Sequence, residues 1–327
     1  ANGEEEEEED EEKRIPKRIA GPSRVTKEER DEHEATHMPF RSWCRHCVRG
    51  RARNSPHMKK KDDQKGEDTQ VPKISMDYFF MSEEDKKASE NPIIVVIDEA
   101  TKDRYARAVG RKGIGTQGDM DWLIRDISAE LRSWGHQGGE AGKMIIKSDG
   151  ERSIVAVRDA VARFHGGRII PEAPAKGESP SNGECEEAGK TIREFTRVLK
   201  SQVEEKAKVK LTPDMPILQW MVRWAAMMIS RYRVGKDGKT AYERRRGRRC
   251  RIPVVPFGET VWYKRVREQK QGENKLETEW EEGVWLGHTR CSNEVIIGTP
   301  VGVVRASSIG RQDEEARWNS QKIAEMK

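Results

Sequence analysis

The chain has 327 residues, of which 34% are hydrophobic and 36% charged, with a formal net charge of +5. That balance leaves a good part of the chain outside any core, and the lack of an apolar run approaching 18 residues excludes a membrane-spanning helix. The five cysteines, an odd number with no signal peptide ahead of them, argue against a disulfide framework and for a reducing compartment.

Charge is unevenly distributed. Residues 1–12 carry nine acids, Glu4 to Glu12, and no base, which leaves residues 13–327 at +14. A basic body with an acidic leader favours polyanions such as nucleic acid. Residues 1–30 read as a disordered tail. The first residue is Ala rather than Met, which points to a piece of a longer polyprotein.

Residues 31–66 read as a metal-binding segment and basic linker. His33 and His37 are four apart, on one face of a helix, and Cys44 and Cys47 form a CxxC knuckle six residues on. Two imidazoles and two thiols are the ligand set of a closed structural zinc site. His46 and His57 are spare candidates. The basic trail of Arg45, Arg49, Arg51, Arg53 and Lys59 to Lys61 suits phosphate contacts or a solvated linker.

From residue 67 to 232 the texture is globular. Strands are expected at Val71–Phe80, Asn91–Asp98 and Arg104–Val109, then a helix over Asp119–Trp134 with Leu123, Ile124, Ile127 and Leu131 on one face. A fourth strand over Lys143–Lys147, a helix over Glu151–Phe164 and a short strand at Arg168–Ile170 follow. Long helices over Glu184–Lys206 and Pro213–Arg231 complete the segment. Three antiparallel strands followed by alternating helix and strand describe an α/β fold with a mixed sheet of the RNase H-like kind. In such a sheet the first and fourth strands end side by side, bringing Asp77 beside Asp149. Glu186 starts the following long helix. Acids gathered this way need a positive group between them, and a divalent metal pair is the usual answer.

Residues 233–252 form a basic linker in which Arg244, Arg245, Arg246, Arg248 and Arg249 could track a nucleic-acid backbone. Residues 253–312 carry four or five short strands and read as a small β-barrel, followed by a charged, frayed tail over 313–327.

Taken together, the HxxxH and CxxC pair, Asp77 after the first strand, Ser148-Asp149-Gly150 and the run Pro180-Ser181-Asn182-Gly183-Glu184-Cys185-Glu186 resemble the integrases of Ty1/copia-type LTR retrotransposons. Thirty-six residues lie between Asp149 and Glu186, close to the spacing of that family, and its motif singles out Glu186 from Glu184 and Glu187. The resemblance spans roughly residues 30–310. It implies an SH3-like barrel at the C-terminus, DNA as partner, a homo-oligomer and a nuclear location. It also implies metal-dependent polynucleotidyl transfer, with Asp77, Asp149 and Glu186 as catalytic ligands of two Mg²⁺ or Mn²⁺ ions. His33, His37, Cys44 and Cys47 would hold structural Zn²⁺. Lys190 and Arg193, four and seven residues past Glu186, would contact the DNA end. The alternative is a catalytically inactive, nucleic-acid-binding protein of the same fold. Glu184 and Glu187, which add negative charge beside Glu186, and Gly189, which weakens the helix, both favour it.

Overall fold

The computed structural model describes residues 25–51, 71–88, 90–115, 118–139, 142–172, 183–264, 278–292 and 294–327. In chain order the elements are α1 (Lys27–Thr36), α2 (Arg45–Arg51), β1 (Lys73–Phe79), α3 (Glu83–Ala88), β2 (Ile93–Asp98), β3 (Arg104–Ala108), α4 (Asp121–Trp134), β4 (Lys143–Ser148), α5 (Arg152–His165) and β5 (Arg168–Glu172). There follow α6 (Gly183–Ala207), α7 (Pro216–Tyr232), α8 (Ala241–Arg246), β6 (Thr260–Lys264), β7 (Trp280–His288), β8 (Val295–Thr299), β9 (Gly302–Ala306), β10 (Ile309–Arg311) and α9 (Ser320–Ala324).

The first sheet has the order β3-β2-β1-β4-β5. Its β1–β2 and β2–β3 pairs are antiparallel, and its β1–β4 and β4–β5 pairs are parallel. Mixed order and directions of this sort are consistent with the RNase H-like fold. Strand β2 shows why the sheet is sandwiched. All six of its residues are buried, and they alternate between two cores as a strand's period of two requires. Ile94 and Val96 join the apolar cluster of α4 and α5 (Leu123, Ile127, Leu131, Ile154, Val157, Val161). Ile93, Val95 and Ile97 join that of α6 and α7 (Ile192, Phe195, Leu199, Met221, Ala225).

The same alternation orients β1. Ile74, Met76 and Tyr78 point to the α4–α5 core, while Phe79 belongs to the α6–α7 core. Asp77 is therefore on the face that α6 covers.

The second sheet is antiparallel, with order β10-β6-β7-β8-β9. Where a small barrel was expected, the described residues form a five-stranded sheet with no pairing that closes it. Its inner side is continuous with the α6–α7 core through Phe257, Val261, Val284, Trp285, Leu286 and Ile297. Trp224 of α7 meets Trp285 edge to face at a centroid distance of 4.8 Å. This approach needs Gly287, whose φ is +115° and where a Cβ would lie 2.6 Å from the Trp224 ring.

Three segments read as irregular carry local structure. Residues 25–30 are not part of a disordered tail: Thr26 and Glu29 make a reciprocal capping box that starts α1 at Lys27. The C-terminal tail is not frayed either, because Ile323 and Met326 are buried in the core and Asn319 caps α9. Within the basic linker, a second capping box of Thr240 and Glu243 nucleates α8. The acidic run 1–12, Arg53, His57, Lys59 to Lys61 and the Pro180–Asn182 part of the motif lie outside the described residues.

Candidate active site and metal centre

The parallel register of β1 and β4 ends at Met76 opposite Ser148, so Asp77 and Asp149 stand next to each other one step beyond it. Neighbouring strands lie about 4.8 Å apart. Burial raises the Asp77 carboxyl to about 6, with the charges of Asp149 and Glu151 adding to the rise, while the Tyr78 amide and Lys112 oppose it. The Tyr78 N–H donates to Asp77 Oδ1 at 2.7 Å, and the Glu151 N–H donates to Asp149 Oδ1 at 3.1 Å.

Glu186 reaches the same place from α6. A cavity of 510 Å³ is lined by Asp77, Glu186, Glu187, Lys190 and Arg193, among others, but not by Asp149. Asp77 and Glu186 are thus brought to one pocket, with Asp149 alongside Asp77. Among the described residues the three carboxylates do not close into a ligand cluster of the kind seen at His33, His37, Cys44 and Cys47. The Asp149 charge disfavours a charged Asp77 in the absence of a cation, and the oxygen donors of all three acids are the type that hard Mg²⁺ takes.

Two side chains that the sequence did not single out frame this corner. Lys112 pairs with Glu151 at 2.7 Å and stands over the Tyr78 and Phe80 rings. Glu151 was legible only as a helix start, and nothing in the local sequence marks Lys112.

The acids beside Glu186 are not loose negative charge. Glu184 pairs with Lys102 at 2.9 Å, while Glu187 pairs with Arg104 at 2.8 Å and Arg233 at 3.4 Å. Gly189 is buried against Phe79, so it serves as the close-approach point of α6 on β1. Lys190 is exposed on the pocket rim. Arg193 is half-buried, donates to the Phe80 carbonyl at 3.4 Å and lies over the Phe79 ring.

Of the linker arginines, two are engaged by the fold. Arg244 bonds to Asp237 at 2.6 Å and 2.9 Å and to the Thr101 carbonyl at 3.0 Å. Arg245 pairs with buried Asp103 at 2.8 Å and donates to the Ser133 carbonyl. Arg246, Arg248 and Arg249 are exposed, Arg249 with a 3.3 Å contact to Glu243. Two further acids at strand ends, Asp98 and Asp103, are at the opposite end of the sheet from Asp77, where Asp98 is tied to His136 at 3.1 Å.

The second centre is built by the N-terminal helices. His33, His37, Cys44 and Cys47 are all buried, with one ligand atom from each lying within 4.8 Å of the others. His33 Nε2 is 3.3 Å from Cys47 Sγ, and His37 Nδ1 is 3.5 Å and 3.8 Å from the Cys44 and Cys47 sulfurs. Tetrahedral zinc, at its usual bond lengths, places nitrogen and sulfur ligands about 3.6 Å apart. The donor set is therefore capable of holding a metal ion, and its chemistry fits Zn²⁺. The Cys47 hydrogen bond pulls the Cys44 thiol far below its ordinary range. His46 is not part of the cluster: it contacts Ser201 at 2.9 Å and Glu205 at 3.3 Å, and burial lowers it to about 4. The centre sits on α6 because Gly50 of α2 lets the helices meet, a Cβ there coming within 2.5 Å of Val198.

No protein-family model matches the chain, and no curated protein does. Among solved structures it is similar to a chain of the simian T-cell lymphotropic virus intasome in complex with PP2A regulatory subunit B56 gamma. That match has 13% identity and a TM-score of 0.39, and covers 83% of this chain and 87% of the other. The HTLV-2 integrase catalytic core domain in complex with magnesium is similar at 13% identity and a TM-score of 0.36, covering 54% of this chain and 98% of the other. At such scores the likeness assigns neither a family nor a residue role. No helix among the described residues is long and apolar enough to cross a membrane.

Proposed function

We propose that this chain is a metal-dependent polynucleotidyl transferase of integrase type, related to those of Ty1/copia-like elements, acting on DNA as a nuclear homo-oligomer. The observation that carries the reading is the meeting of Asp77 and Glu186 at one pocket, with Asp149 next to Asp77 on the neighbouring strand. Asp77, Asp149 and Glu186 would hold two Mg²⁺ or Mn²⁺ ions, which when bound supply Lewis-acid stabilisation of the attacking and leaving oxygens of an in-line displacement. The residues around them do the positioning. Lys112 fixes Glu151 beside the acids, Lys190 offers an ammonium to the DNA end, and Arg193 holds the Phe79–Phe80 segment against α6. Arg246, Arg248 and Arg249, all exposed, would be the linker cations that meet a backbone.

The C-terminal sheet fits a small SH3-like barrel in this reading. Strands β9 and β10 are at opposite edges, roughly 19 Å apart in a flat sheet. Only Ser307 and Ser308 separate them in the chain, a link reaching about 11 Å. In this reading the sheet would curl to join them.

The test is a joining assay with a labelled duplex matching the element's terminus, a plasmid target and Mg²⁺ or Mn²⁺. Joined products that disappear with Asp149→Asn are expected. Joining that survives that substitution would remove the carboxylate assignment. A second reading, nucleic-acid binding without catalysis, is favoured by the absence of a closed carboxylate cluster among the described residues. It predicts retarded but uncut DNA.

A further inference from the structure

On the far side of the first turn of α6 from Lys190 lies another cavity, of 550 Å³. It shares Gly183 and Glu187 with the carboxylate pocket, so the two open on opposite flanks of one helix start. Five cations line it, Lys102, Arg104, Arg233, Lys236 and Arg244, against two acids, Glu184 and Glu187. The walls are held in place by the fold. Arg244 is clamped by Asp237 and the Thr101 and Lys239 carbonyls, passing so close to Gly235 that a Cβ there would lie 2.1 Å from its guanidinium. Arg233 is held by Glu187 and Thr191.

Arg104, 8% exposed, reaches Glu187 through one nitrogen, while its Nε and Nη1 are buried without a partner. Burial, with Arg233 adding, pushes this guanidinium down to about 10. Lys236, carried outward by the tight Gly235–Lys239 turn, makes no ion pair among the described residues. With Asp237, which pairs with Arg244, three carboxylates offset these five cations, so an excess of two positive charges remains, and the positive end of a 25-residue helix adds to it.

We propose that this cavity is a phosphate-binding site, distinct from the carboxylate pocket, that takes either a phosphodiester of a nucleic-acid backbone or a free phosphate. Three guanidinium groups held by the fold, with the ammonium groups of Lys236 and of Lys102, which is 2.9 Å from Glu184, suit tetrahedral oxyanions. The site does not depend on catalysis and would stand if Asp77, Asp149 and Glu186 proved inert.

The test uses the full chain with zinc, Lys102→Glu/Lys236→Glu as the variant, and Lys143→Glu as a control at an exposed position on β4, three strands across the sheet from β3. Affinity for a fluorescein-labelled 20-base-pair duplex is measured by anisotropy across a salt series. The double variant is expected to bind about tenfold more weakly, with a log K against log salt slope smaller by about two. The control is expected to change either quantity far less. A rise in melting temperature of the wild type with millimolar pyrophosphate, lost in the double variant, marks a site open to free phosphate. The loss of slope without that rise marks one that takes backbone phosphates only. Lys102→Arg/Lys236→Arg is expected to restore binding, which separates charge from misfolding. Equal losses in the double variant and the control, or no change in affinity, slope or melting, would overturn the proposal.

Discussion

Gly189 of α6 rests on the Phe79 ring of β1, so near that a Cβ at position 189 would sit 3.2 Å from Phe79 Cδ1. This contact sets how far Glu186, one turn earlier, stands from Asp77. Gly189→Ala gains about 1 kcal/mol of helix propensity and loses a similar amount in moving Phe79. Thermal melts are expected to shift little, while DNA joining drops several-fold as the two carboxylates separate. Gly189→Val, with two more methyls to place, is expected to cost about 1–3 kcal/mol in urea unfolding. A fully active valine variant would show that the spacing is unimportant.

Lys190 and Arg193 face the same side of α6, yet their surroundings differ. Lys190→Ala is expected to weaken DNA binding and leave the melting temperature unchanged, since its ammonium is exposed. Arg193→Ala is expected to lower stability by about 1 kcal/mol, through loss of the Phe80 carbonyl bond and the Phe79 contact. Matched anisotropy and melting curves on both variants distinguish the two roles.

The metal centre makes a stoichiometric prediction. Metal analysis of purified protein is expected to find one zinc per chain, and Cys47→Ser or His33→Ala to remove it. Chelation is expected to expose the α2–α6 contact to proteolysis near residue 50, because binding energy at such sites is folding energy. Full zinc content in either variant would exclude these ligands.

Arg245 is expected to behave as a core residue in spite of its place in a basic run. It pairs with Asp103, 1% exposed, whose carboxyl burial raises to about 6. Arg245→Met strands a buried carboxylate and is expected to cost about 3 kcal/mol or more. Arg248→Ala is expected to be within about 0.5 kcal/mol of wild type. The double change Arg245→Met/Asp103→Leu recovers most of the loss if the ion pair is the cause.

His288 supplies a pH dependence. Burial, with Arg231 and Arg223 close by, lowers it from 6.5 to about 4. The unfolded chain then binds a proton that the folded one refuses, so this contribution is present above pH 6.5 and is lost as pH falls toward 4. The full shift corresponds to about 3 kcal/mol. His288→Phe is expected to flatten the stability profile between pH 6.5 and 4.5, measured by denaturant unfolding.

Much of the sheet was readable because the alternation in Ile74–Tyr78 and the continuous apolar run Ile93–Ile97 admit few other structures, with Asp77 near the end of the first strand and Asp149 just after β4. The four buried ligands of the N-terminal centre were likewise visible in their spacing. What local sequence could not reveal is pairing across long separations. Nothing near Glu187 announces Arg104 or Arg233, so its charge read as crowding when it is in fact neutralised. Arg244 and Arg245 looked like free cations because their acids are elsewhere in the chain or across a turn. Gly189 looked like a weakness in a helix because its reason is a ring more than a hundred residues away.

The edge-to-face contact of Trp224 and Trp285 has a mechanical consequence. It rivets the C-terminal sheet to α7, and α7 packs along the helix that bears Glu186. A partner gripping the sheet would pull on α7, with α6 next in line. The sheet would act as a handle on the carboxylate pocket, with the indole pair as one of its attachments.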